Sequence, residues 1–124
     1  MNNATLLLRQ VHPSWMQKDR VTSQAFRPMG KDKGHLSVYD GDQINAEEAW
    51  QHYTVELGLI SIGVVAITVS ECWQLELPVV PDPTPFPEHV VIDFTSVAKA
   101  QIDLKVHCLK EYAEVRGWLY QAAV

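Results

Sequence analysis

A nearly unbroken apolar run at residues 62–69 constrains the fold more than any other feature of the chain. It reads Ile-Gly-Val-Val-Ala-Ile-Thr-Val. Strands that are covered on both faces carry continuous apolar runs, whereas half-exposed strands alternate apolar and polar residues. The run therefore predicts a central strand. A chain of 124 residues corresponds to one domain, and it is long enough to bury a core without disulfides.

The remaining pattern predicts further strands and two main helices. Asn45 and Glu48 have the spacing of a capping box, so we expect a helix over 46–57 that ends at Gly58. A short helix is expected from Ser70, and a last helix over 97–116 is expected to be capped by Thr95 or Ser96. Strands are predicted at 5–11, 21–26, 35–39 and 89–94, with an edge strand at 118–120.

These elements predict an α+β fold in one domain, residues 1–124. We expect a mixed, mostly antiparallel sheet with the two main helices packed on one of its faces. The segment 78–87 contains five prolines, which exclude a regular helix or a central strand there. It is expected to be an ordered, extended connection that straps the sheet edge or docks on a partner.

Composition limits the classes of binding partner that the chain is expected to have. The net charge is −5 and the pI is about 5.4, which disfavours nucleic-acid binding. One alternative is a local basic face on an otherwise acidic body, formed by Arg9, Arg20, Arg27, Lys31 and Lys33. No targeting signal or membrane-spanning run is present, so we expect a soluble, cytoplasmic protein without a membrane partner. Neither cysteine has metal-ligand spacing, and reduced thiols are expected.

Several polar residues are not explained by local structure. His35, Asp42 and His52 lie around the Asp40-Gly41 turn, and Tyr39 accompanies them. Histidine exchanges protons near neutral pH, so each could act in acid–base catalysis, although packing and surface roles remain open. If the first strand and the strand at 89–94 are neighbours, their polar ends share one rim. The candidate catalytic residues are His12, Ser23, His35, Asp42, His52 and His89.

The order of three residue types resembles that of ADP-ribosyltransferases. Arg9 lies on the first strand, Thr22-Ser23 on the second and Glu88 follows later. The resemblance implies that Arg9 would hold the phosphate of NAD, that Ser23 would orient the nicotinamide ribose and that Glu88 would assist transfer. The usual second serine is absent, since Gln24 follows Ser23, and Glu88 has no paired acid. A hydrolase is the other enzymatic interpretation.

A wider resemblance covers most of the chain. It is carried by segments 9–14 (RQVHPS), 21–28 (VTSQAFRP), 36–42 (LSVYDGD), 52–53 (HY), 81–94 (PDPTPFPEHVVIDF) and 116–120 (RGWLY). Taken together they resemble a family of short bacterial proteins of unknown function. The resemblance implies a complete, stand-alone protein and implies no activity, cofactor or site.

Small size, acidic charge and the absence of a catalytic motif favour a non-catalytic protein-interaction component. We expect an accessory or antitoxin-like protein with a protein partner. A small enzyme with a His/Asp/Glu site at a rim is the alternative. The sequence specifies no cofactor and leaves the oligomeric state open.

Overall fold

The computed structural model, which describes residues 1–123, contains a six-stranded antiparallel sheet in the order β6-β7-β4-β1-β5-β8. Its strands are β1 Leu6–Gln10, β4 His35–Asp40, β5 Gly63–Thr68, β6 Val79–Pro81, β7 His89–Asp93 and β8 Tyr120–Gln121. A separate hairpin pairs β2 Met16–Gln17 with β3 Arg20–Val21. The helices are α1 Ala46–Gln51, α2 Val69–Gln74 and α3 Lys99–Arg116.

Helices cover both faces of this sheet. Leu7 packs in one buried cluster with Val106 and Leu109 of α3, whereas Leu8 packs in a second cluster with Ala49 of α1. Successive strand residues point to opposite faces, so the two clusters lie on opposite sides. The α+β class and the antiparallel sheet are confirmed, but the expectation that the helices share one face is wrong. The continuous apolar run of β5 reflects this double cover.

The predicted strand at 21–26 is wrong beyond its first residue. The chain leaves β3 at Val21, and Ser23–Phe26 forms a single 3-10 turn. This turn buries Ala25 and Phe26 completely against the α3 side of the core. Burial of the large ring decides the local conformation there, because the alternating pattern of residue types is a weaker preference than tertiary packing.

The helix starts were predicted with mixed success. The capping box of Asn45 and Glu48 is confirmed, with both reciprocal hydrogen bonds present. Thr68, not Ser70, caps α2, and its partner is Glu71. Ala98 precedes α3, so neither Thr95 nor Ser96 caps it.

Thr95 instead donates from its N–H and its hydroxyl to the Asp93 carboxylate, which lowers the pKa of Asp93.

The proline-rich segment runs along the sheet edge. Its beginning forms edge strand β6, and further along Phe86 packs on the α1 face. Prolines are accommodated because β6 has a ladder partner on one side only. Within residues 1–123, no helix has the length and apolar character required to cross a lipid bilayer.

Candidate functional site at a gap in the sheet

β1 and β4 are paired over only part of their lengths. Their ladder pairs Leu7 with Asp40 and Leu8 with Tyr39, and in the described chain it stops there. β1 continues to Gln10 along β5, and β4 begins at His35 along β7. An extended ladder would join Gln10 to Ser37, and that pair is not formed. The sheet therefore has a gap between its two central halves.

Arg9 occupies the margin of this gap. Its Nη1 donates to the Ser37 carbonyl oxygen at 2.9 Å and its Nε donates to the Ala25 carbonyl oxygen at 2.7 Å. The guanidinium also lies 5.2 Å from the ring centroid of Trp15. The Ser37 carbonyl, which a regular ladder would pair with β1, thus accepts from a side chain instead. Burial lowers the pKa of Arg9 to about 10, so the group stays positively charged at neutral pH.

The gap opens into a cavity of about 170 Å³ on the α1 face. This volume is close to that of cavities that hold one benzene molecule and below that of drug-sized pockets. It therefore suits one small group. Its apolar and aromatic walls come from Leu8, Tyr39, Tyr53, Leu57, Leu59 and Phe86, and its polar ones from Arg9, Gln10, Ser37 and His89.

Phe86 stands at the centre of an aromatic cluster beside the cavity. Its ring centroid lies 5.0 Å from Tyr39, 4.6 Å from His52 and 5.1 Å from His89. The Tyr39 hydroxyl and His52 Nδ1 are hydrogen-bonded at 2.8 Å. Burial raises the pKa of Tyr39 above its ordinary value, so its phenol remains neutral. The proline-rich segment is thereby fastened to the helix that follows α1.

A π-helical turn, His52–Glu56, positions the side chains on this side of the site. The helix predicted for 46–57 is α-helical only through Gln51 and then widens. A π turn adds one residue per turn, and such turns are frequent at functional sites. The widened turn directs His52 to Tyr39 and leaves Tyr53 to line the cavity.

His89 is held from both ring nitrogens. Nδ1 lies 2.9 Å from the main-chain carbonyl oxygen of Asp82 and 3.4 Å from its carboxylate, and Nε2 lies 3.0 Å from the Ser37 hydroxyl. A carbonyl oxygen only accepts hydrogen bonds, so Nδ1 carries the proton in the neutral ring. Nε2 is then the acceptor, and the Ser37 hydroxyl donates to it.

Gln10 contributes a buried acceptor. The residue is 4% exposed, and its Nε2 donates to the Ala49 carbonyl oxygen at 3.1 Å, which fixes the orientation of the amide. Its Oε1 is buried and has no hydrogen-bond partner among the described residues. Buried polar atoms are nearly always paired. Gln10 therefore offers an acceptor to a donor group placed in the cavity.

Three of the residues predicted from sequence meet at this site. His52 and His89 both contact Phe86, and Arg9 lines the cavity. His12 and His89 do not share a rim as neighbouring strands, because β4 lies between β1 and β7.

The other four candidates lie elsewhere. His12 Nδ1 accepts from Ser14 at the start of a 3-10 turn, and His35 is exposed at the start of β4. Asp42 accepts from the Thr5 hydroxyl at 2.6 Å. Ser23 lines a shallow depression with Arg20 and Lys110, separate from the Arg9 cavity. An NAD-handling site built from Arg9 and Ser23 stays a prediction.

Sequence reasoning missed Gln10, Ser37, Tyr53, Asp82 and Phe86. Ser37 is one polar residue of an ordinary alternating strand, and Asp82 lies among prolines, so neither stands out locally. Among residues 1–123, no group of three His, Cys, Asp or Glu side chains is arranged to hold a metal ion.

No family model, curated protein or solved structure matches the chain. The resemblance to short bacterial proteins therefore stays a prediction.

Proposed function

We propose that the protein is an interaction module whose α1 face binds a basic, apolar segment of a partner protein. The observation that carries the proposal is an apolar patch that begins in the π turn and continues beyond it. Val55, Leu57, Leu59 and Ile60 are between 44% and 75% exposed. Four large aliphatic side chains exposed within six residues are unusual for a surface that faces only water, and such patches are typical of binding sites.

Charge favours a basic partner. Residues 34–98 contain ten acidic residues and no lysine or arginine, so all ten basic residues lie before or after this range. The range includes α1, the apolar patch and the proline-rich segment. Glu47, Glu48 and Glu56 are exposed close to the patch in sequence. Complementary charge around an apolar centre speeds association and selects the partner.

Two of the arginines of the basic face proposed from the sequence are paired with acids, which makes them less available for nucleic acid. Arg20 is paired with Glu114 and Arg27 with Asp103. We infer an accessory or antitoxin-like role in the bacterial cytoplasm from this division of charge, because an acidic apolar surface suits a basic protein segment and repels nucleic acid.

Binding to a short Lys/Leu amphipathic helix, measured by fluorescence anisotropy, tests the proposal. We expect saturable binding that weakens as salt is raised. The double variant Leu59→Ser/Ile60→Ser should bind at least about tenfold more weakly. Two aliphatic side chains that become buried in the complex contribute more than the roughly 1.4 kcal/mol that a tenfold change in affinity requires.

The matched control is Leu104→Ser/Val115→Ser, which removes two exposed aliphatic side chains from α3 on the other face. It should bind like the unmodified protein. Absence of saturable binding by the unmodified protein, or equal loss in both double variants, would contradict the proposal.

A further inference from the structure

We propose that the gap between β1 and β4 is also the active site of a serine hydrolase, with Ser37 as nucleophile and His89 as general base. This activity is distinct from partner binding at the apolar patch, although Leu57 and Leu59 of the patch also line the cavity. A nucleophile hydrogen-bonded to a base, with the base oriented by a third group, is the arrangement that activates serine. Here the three are the Ser37 hydroxyl, the His89 ring and Asp82.

The ring of His89 is held in the productive tautomer. The main-chain carbonyl of Asp82, 2.9 Å from Nδ1, requires the proton on that nitrogen. Nε2, 3.0 Å from the Ser37 oxygen, is therefore free to take the serine proton. The Asp82 carboxylate oxygen lies 3.4 Å from Nδ1 and stabilises the positive charge that the ring acquires. Asp82 acts as a positioning residue through its main chain.

A ligand can reach the nucleophile. Ser37 is exposed and lines the cavity, whereas His89 beneath it is 9% exposed. The guanidinium of Arg9 lies next to Ser37, and among the described residues no carboxylate lies within 4 Å of it. This cation, which donates to the main-chain carbonyl of the same residue, favours the negative charge that develops on the carbonyl oxygen of a bound ester.

The reaction follows from these positions. The Ser37 oxygen attacks the ester carbon as its proton moves to His89 Nε2. The bond from the ester carbon to the alcohol oxygen then breaks, and His89 gives its proton to the departing alcohol. A water molecule, deprotonated by His89, then attacks the acyl carbon. The bond from that carbon to the Ser37 oxygen breaks, the carboxylic acid is released, and His89 gives its proton back to the Ser37 oxygen. Water is the only co-reactant.

The cavity defines the substrate class. About 170 Å³ with mainly apolar walls accommodates a short acyl chain. Gln10 lines the same cavity, and its buried Oε1 has no partner among the described residues, which favours a ligand that also carries a hydrogen-bond donor. We therefore infer esters of short acyl groups with an N–H or O–H donor.

Labelling by a fluorophosphonate probe, followed by peptide mapping, tests the assignment on the full chain. We expect covalent modification at Ser37. The variants Ser37→Ala and His89→Gln should reduce the labelling rate at least about 100-fold, since loss of either member of such a pair removes most of the nucleophile's activation. Ser96→Ala, which removes another exposed serine, should label like the unmodified protein.

Hydrolysis of p-nitrophenyl acetate should fall in parallel, to the rate in buffer for Ser37→Ala. Near-ultraviolet circular dichroism of each variant establishes that the fold is retained. Absence of labelling in the unmodified, folded protein, or labelling that persists in Ser37→Ala, would overturn the proposal.

Discussion

Replacement of Phe26 by alanine is expected to lower the free energy of unfolding by about 4 kcal/mol, as large-to-small changes of a buried phenylalanine do. Phe26 is fully buried, and it lies on a 3-10 turn packed in the same core cluster as Val106 and Leu109 of α3. Deletion of the ring leaves a cavity between this turn and the helix, because neither side can close over the space without breaking its own contacts.

Urea denaturation followed by circular dichroism measures this effect. The control is Val115→Ala on α3, a residue that is 88% exposed and should change stability by less than about 0.5 kcal/mol. A loss below about 1 kcal/mol in Phe26→Ala would mean that the ring is not in the core. That outcome would favour the extended strand that the sequence pattern predicts for 21–26.

Replacement of Arg116 by methionine is expected to cost about 2 to 3 kcal/mol of stability. The guanidinium donates twice to the Glu71 carboxylate at 3.0 Å and once to the Ala66 carbonyl oxygen at 2.8 Å. The side chains of Arg116 and Glu71 are only 27% and 17% exposed. Removal of the cation therefore leaves the Glu71 carboxylate with only its bond from the Thr68 N–H. It also removes the Arg116 bond from a β5 carbonyl that lies beyond the reach of the short strand β8.

The matched control is Arg20→Met. Arg20 makes a similar two-bond pair with Glu114, but its side chain is 67% exposed. Exposed pairs contribute at most about 1 kcal/mol, so this variant should be nearly neutral. Equal destabilisation by the two substitutions, measured in the same denaturation experiment, would show that Arg116 does not support the edge of β5.

The sequence supports the fold class because its strongest signals are local. The apolar run of β5, the capping box at α1 and the prolines of the edge segment each follow from residue types a few positions apart. The predicted strand at 21–26 failed where local pattern and tertiary burial disagree. The placement of helices on both faces depends on how distant segments pack, and a local pattern does not specify this.

The residues that form the site could not be predicted from local sequence patterns. Ser37 and His89 are 52 residues apart, and they meet because the β4–β7 register pairs Tyr39 with His89. A shift of one residue would send these side chains to opposite faces. At the gap Arg9 donates to the Ser37 carbonyl, and a strand pattern does not reveal this contact. His52 and His89 could be selected as histidines near turns, but their partners could not.

Site-specific photo-crosslinking in the native host tests the binding role of the α1 face most directly. A photoreactive amino acid at position 60 in the apolar patch is compared with the same residue at position 115 on α3. We predict that position 60 yields one protein crosslinked through a segment that combines basic and aliphatic residues, whereas position 115 does not capture it. Identical products from both positions, or capture at position 60 only through an acidic segment, would contradict the proposed interaction surface.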